Sequence, residues 1–138
     1  MESKKRRAHG HGKGERPRGW GVSGDGIGLR GRVWIDGPEG TFIGYGRAVL
    51  MERIRQHGSI TRAARSMDMS YRRAWVLIDS MNRQAPRPFV ETAAGGRGGG
   101  GTRLTKDGEK AIESFWRFHE NFQKFLARQQ RLIAPRMK

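Results

Sequence analysis

Between Gly58 and Asn82 the sequence reads "GSITRAARSMDMSYRRAWVLIDSMN", and this stretch limits the possible folds more than any other. A serine able to cap a helix occurs twice, at Ser59 and Ser70, each followed by helix-forming residues, with "DM" at 68–69 as a tight break between them. A capping side-chain oxygen satisfies amide groups that the first helical turn leaves without partners. In the first helix Ala63, Ala64 and Met67 turn inward. In the second, Tyr71, Ala74, Trp75, Ile78, Met81 and Asn82 recur at offsets of three and four, which places them on one face. Ser70, Arg72, Arg73 and Val76 fall on the other face, and Pro86 and Pro88 stop the helix.

The flanking segments complete a pattern. "GRAVLMERIRQH" at 46–57 carries an apolar stripe of Ala48, Leu50, Met51 and Ile54, and Gly58 ends it. Upstream, "LRGRVWID" at 29–36 alternates like a strand, and "DGPEG" at 36–40 is dense in turn residues. "TFIGY" is either a short return strand or the lead into the helix. Downstream, "FVET" at 89–92 and "TRL" at 102–104 can pair as short strands. A long helix then runs from Thr105 to Pro135. The expected fold is mainly α with a small β wing: a winged helix-turn-helix with a long C-terminal helix. Residues 1–28 are expected to form a basic, glycine-rich disordered tail and 29–133 the domain, with 105–133 as a dimerisation helix.

The chain carries 28 Lys+Arg against 13 Asp+Glu, a formal charge of +15. Such a charge attracts polyanions, nucleic acid first and an anionic membrane surface second. "KKRR" at 4–7 suits a phosphate-binding arm. No apolar run approaches the ~20 residues of a membrane span, and the charged start does not read as a secretory signal. Cysteine is absent, which excludes disulfides, thiol catalysis and cysteine-bound zinc and fits a reducing compartment. A cytoplasmic, nucleoid-associated location follows as the expectation.

In a helix-turn-helix the second helix enters the major groove and its N-terminal residues reach base edges. Here that helix begins "SYRRAW". Positive charge at a helix N-terminus opposes the helix dipole, so Arg72 and Arg73 imply a partner elsewhere. An arginine fork can bond guanine or grip a phosphate. Six of the seven residues from Gly95 to Gly101 are glycine, with Arg97 the exception. Such a tip permits close approach to DNA, with one cation available for a narrow minor groove. The candidate DNA contacts are Ser59, Thr61 and Arg62; Ser70, Tyr71, Arg72, Arg73 and Val76; and Arg97, Gly98, Gly99 and Arg103. Gly26/Gly28/Gly31 and Gly96/Gly98/Gly101 match G-x-G-x-x-G, but neither sits between a strand and a dinucleotide-binding helix.

On the long helix Phe115, Phe118, Phe122, Phe125 and Leu132 form a seam, with Gln129 as its polar interruption. The seam packs either back onto the domain or onto a second copy; its heptad-like steps favour pairing. The four histidines are scattered, and no two carboxylates are spaced for shared acid–base work, so no enzyme, cofactor or metal is expected.

The "SYxxAW…I…MN" helix and the "GG[KR]GGGG" tip followed by "LT…G" resemble the N-terminal DNA-binding domain of the ModE family, the molybdate-responsive bacterial regulators. "GSIT.AA" and "LT..G" are shared more loosely with LysR-type regulators. The resemblance spans about 29–133 and implies a winged-helix homodimer on double-stranded operator DNA. It also implies that Ser70, Tyr71, Arg72 and Arg73 belong to the recognition helix, and Arg97 with its glycines to the wing. ModE regulators with a sensor carry further C-terminal domains, so the resemblance speaks against molybdate binding directly to this chain. The expected function is a sequence-specific transcription regulator without that sensor. A non-specific architectural DNA binder is the alternative, and a protein-interaction module using Trp75 and the Phe seam is a third reading.

Overall fold

A computed structural model describes residues 26–93 and 101–137. These fall into two units, one of Arg32–Lys124 and one formed by the described residues before Arg32 with those from Phe125 onward. The order of elements is β1 (Ile35–Gly37), β2 (Gly40–Ile43), α1 (Tyr45–His57), α2 (Ile60–Ser66), α3 (Tyr71–Gln84), β3 (Val90–Thr92), β4 (Thr102–Leu104) and α4 (Lys106–Ile133). A 3-10 turn, Ala134–Met137, follows. The fold is mainly α, with a small β wing and a long C-terminal helix.

The alternating segment 29–36 pairs only at its end. β1 and β2 are antiparallel with Ile35 opposite Ile43, Asp36 opposite Thr41, and an irregularity between Ile35 and Asp36. The return strand has four residues before α1 begins, so the ladder cannot extend toward Leu29. Side-chain burial nevertheless alternates through this segment, with Val33 and Ile35 half-buried and Trp34 exposed. The hairpin is fastened to the end of α3 by Gln84. Its Oε1 accepts from the Glu39 amide at 3.2 Å, and its Nε2 donates to the Thr41 carbonyl at 3.1 Å.

α1 buries Ala48, Leu50, Met51 and Ile54, the four residues its sequence spacing selects. Gly58 ends it at φ 66, a left-handed conformation that suits glycine, and its amide donates to the Ile54 carbonyl. The Gly58 carbonyl accepts from the Thr102 amide at 2.9 Å, which joins the end of α1 to β4. β3 and β4 pair antiparallel, Val90 opposite Leu104 and Thr92 opposite Thr102, and Ala93 donates to the Gly101 carbonyl at 2.8 Å.

Thr105 links this wing to α4. Its amide donates to the Phe89 carbonyl at 2.9 Å, and its Oγ1 accepts from the Gly108 amide at 3.1 Å as a helix cap. Asp107 and Glu109 complement the dipole in the first turn. The core of the larger unit gathers Ile43, Leu50, Met51, Ile54, Ile60, Ala63, Ala74, Ile78, Met81, Val90, Ile112 and Phe115. Phe42 stacks on Phe89 with ring centroids 5.3 Å apart. Glu52 ties α1 to α4 by accepting from Trp116 Nε1 at 3.1 Å and from Arg55, which also bonds Glu109. In the smaller unit, the Leu29 amide donates to Gln130 Oε1 at 3.1 Å.

Candidate nucleic-acid interface

Two serine caps set the entry of α2 and α3. Ser59 Oγ accepts from the Arg62 amide at 3.2 Å, and Ser70 Oγ accepts from the Arg73 amide at 3.1 Å. Both hydroxyls are thereby engaged as caps, though each keeps its proton to donate outward. Between the helices the Met69 amide returns to the Ala64 carbonyl at 2.9 Å, and Asp68 sits at φ 51. A left-handed aspartate makes the break tight, because its short polar side chain tolerates that region.

Past this break α3 turns Ala74, Ile78 and Met81 inward. Arg72 and Val76 lie nearly opposite them, and Arg72, Arg73 and Val76 are all exposed. Thr61 and Arg62 are exposed on α2, and Ser59 is half-buried. Tyr71 and Trp75 depart from the face their spacing suggests: they are 54% and 50% exposed. Ala74 has no exposed surface, so α3 lies close to its neighbours there. Trp75, roughly a quarter-turn away, is left at the margin. Trp75 thus joins the outward surface, although its spacing groups it with Ala74 and Ile78. The signal in the sequence was the small alanine beside it, since a helix seated on alanine leaves no depth for an adjacent indole.

Among the described residues the arginines differ in whether a carboxylate answers them. Arg55, Arg83, Arg87, Arg103 and Arg117 each pair with a carboxylate. Arg62, Arg65 and Arg72 form no ion pair with another described residue. No acidic residue occupies the first turn of α1, α2 or α3. Arg47, which donates to Ser80 Oγ at 2.9 Å, has its pKa lowered by burial and then by the nearby Arg73 guanidinium. Adding a polyanion would relieve that repulsion.

The remaining candidates divide. Arg103 on β4 is exposed but bonded to Glu91 across the wing at 2.8 Å, so part of its charge is already answered. Arg97, Gly98 and Gly99 lie outside the described residues. Phe115 is corrected: it has no exposed surface and packs in the chain's own core, because it shares the inward line of α4 with Gly108 and Ile112. It is withdrawn from the proposed seam. Phe118, Phe125 and Leu132 are 43%, 45% and 64% exposed, and Phe122 is half-buried. Among the described residues no group of three or more metal-ligating side chains occurs, and no helix is long and apolar enough to cross a membrane.

No family model matches the chain. It is 41% identical over 97 residues to the molybdenum transport protein ModE of Azotobacter vinelandii, covering 70% of this chain and 36% of that protein. It is 40% identical over 74 residues to the transcriptional regulator ModE of Haemophilus influenzae, covering 54% and 29%. The DNA-binding transcriptional dual regulator ModE of Escherichia coli K12 is 39% identical over 69 residues, covering 50% and 26%. The chain spans between about a quarter and just over a third of the length of these curated relatives. Over half or more of its own length, this chain is similar to the ModE proteins.

Proposed function

We propose that this chain is a sequence-specific DNA-binding regulator of transcription, built as a winged helix-turn-helix and acting as a homodimer. The observation that carries the reading is the outward face of α3: Arg72 exposed and unpaired with any described carboxylate, behind a serine cap that presents the helix end. In this reading Ser70–Val76 enters the major groove, where an arginine fork bonds a base edge or a phosphate. Arg62 on α2 faces the adjacent backbone. The glycine-rich tip with Arg97, and Arg103 beside it, follow the flanking groove. The names of the ModE relatives as transcriptional regulators support the same assignment.

The exposed apolar positions Phe118, Phe125 and Leu132 support pairing of two copies through α4. A two-fold dimer presents two recognition helices to half-sites about one DNA turn apart. The formal charge of +15 favours a second reading, a non-specific architectural binder. Competition binding at fixed salt separates them. A regulator prefers one palindromic duplex by about a thousandfold or more over random DNA, whereas an architectural binder shows no such preference.

A further inference from the structure

The outward face of α3 is not uniformly cationic. Val76 is 51% exposed one helical turn after Arg72, and Trp75 beside it is 50% exposed. Valine is a poor choice for a solvated helix surface, since its branched side chain loses rotamer freedom there and gains little burial in return. An indole left half in water is costlier still. Both occur on the helix of Arg72, which pairs with no described carboxylate, on a chain of formal charge +15. An anion with an apolar feature set among polar edges would complement this surface. Duplex DNA meets that description: the thymine C5-methyl is the apolar group on the base edges of its major groove.

Resting on the DNA-binding reading above, we infer that Val76 and Trp75 read thymine methyl groups, adjacent to the base or phosphate held by Arg72. Thymine is then required at those positions for its methyl, not for its pairing. The geometry agrees, because Arg72 and Val76 stand at i and i+4 on one line of α3 and so meet neighbouring base steps along the groove. Adenine or guanine edges at the same place would leave polar atoms desolvated against valine.

The test uses the full chain. A duplex is selected from a random-sequence library, and each thymine is then replaced singly by deoxyuridine, which removes the methyl and keeps the pairing. The expected result is a loss of about three- to tenfold in affinity at one or two thymines per half-site and none at the others. In V76A the penalty at one of these thymines disappears, and in W75A the penalty at its neighbour does; both variants replace exposed side chains, and unchanged melting temperatures confirm their folding. Equal affinity of the wild type for the thymine and uridine duplexes at every position overturns the inference while leaving DNA recognition standing. So does a V76A or W75A variant that loses affinity equally on both duplexes. Failure to select any duplex overturns the DNA-binding reading itself, and the inference with it.

Discussion

The side chain of Asn82 on α3 engages both backbone groups of Val90 on β3: its Nδ2 donates to the Val90 carbonyl at 2.9 Å, and its Oδ1 accepts from the Val90 amide at 3.1 Å. The same Oδ1 accepts from the Phe89 amide at 2.8 Å. One amide thus fixes the proposed recognition helix to the wing. Asn82→Ala leaves three backbone groups without that partner, and the expected loss is about 2–3 kcal/mol of folding stability, read by urea denaturation. An unchanged midpoint would show that water replaces the amide at no cost.

Two glycine-to-alanine substitutions should move stability in opposite directions. A β-carbon at Gly108 would stand 2.2 Å from the Phe89 carbonyl oxygen, a backbone atom that cannot swing away, whereas at Gly46 it would meet nothing within 4 Å. Helix propensity favours alanine at both positions. Gly46→Ala is expected to gain about 0.5 kcal/mol. Gly108→Ala is expected to lose roughly 2 kcal/mol or more, as α4 is pushed off the wing. Paired thermal melts test the reversal.

His119 lies against the rings of Tyr45, Phe115 and Trp116, and burial lowers its pKa. The folded chain therefore holds this proton less tightly than the unfolded chain, so stability rises with pH where the group titrates. As pH falls below the ordinary imidazole value of about 6.5, the fold should lose stability, and the loss should level off below the lowered folded value. His119→Phe should flatten this part of the profile. Melting temperatures taken between about pH 7.5 and 5 would show an unchanged slope if His119 were not responsible.

Much of this architecture is legible in the residues. Ser59, Ser70 and Gly58 mark helix ends because capping and a left-handed terminus depend on local chemistry alone. The wing strands and α4 begin within a residue of where "FVET", "TRL" and Thr105 place them. What depends on neighbours distant in sequence is not legible. The alternation at 29–34 is real in burial but lacks a strand to pair with. Phe115 satisfies two helical patterns at once, and only the packing of α4 gives it to the core. Tyr71 and Trp75 fit an apolar face by spacing, yet the depth available beside Ala74 leaves them outside. Arg103 looks available until Glu91 is found opposite it in the β3–β4 register.

The exposed positions of α4 give a further expectation. Replacing Phe118 and Phe125 together by aspartate should leave the core intact, since both side chains are more than two-fifths exposed. It should convert a dimer to a monomer in sedimentation velocity and weaken binding to a palindromic duplex more than to one half-site. A wild-type chain that sediments as a monomer at micromolar concentration would remove the pairing proposal.

The central claim is that the N-terminal half of α3 is the surface presented to DNA. The most direct measurement is a residue-resolved NMR titration of the isotope-labelled chain with a selected duplex, following every backbone amide. The account predicts that the largest shifts fall at Ser70–Val76, with a second group at Thr61 and Arg62, and little change at Gly46 or across Glu109–Glu113. Shifts confined to α4, or to the segment before Gly26, with Ser70–Val76 unmoved, would contradict it.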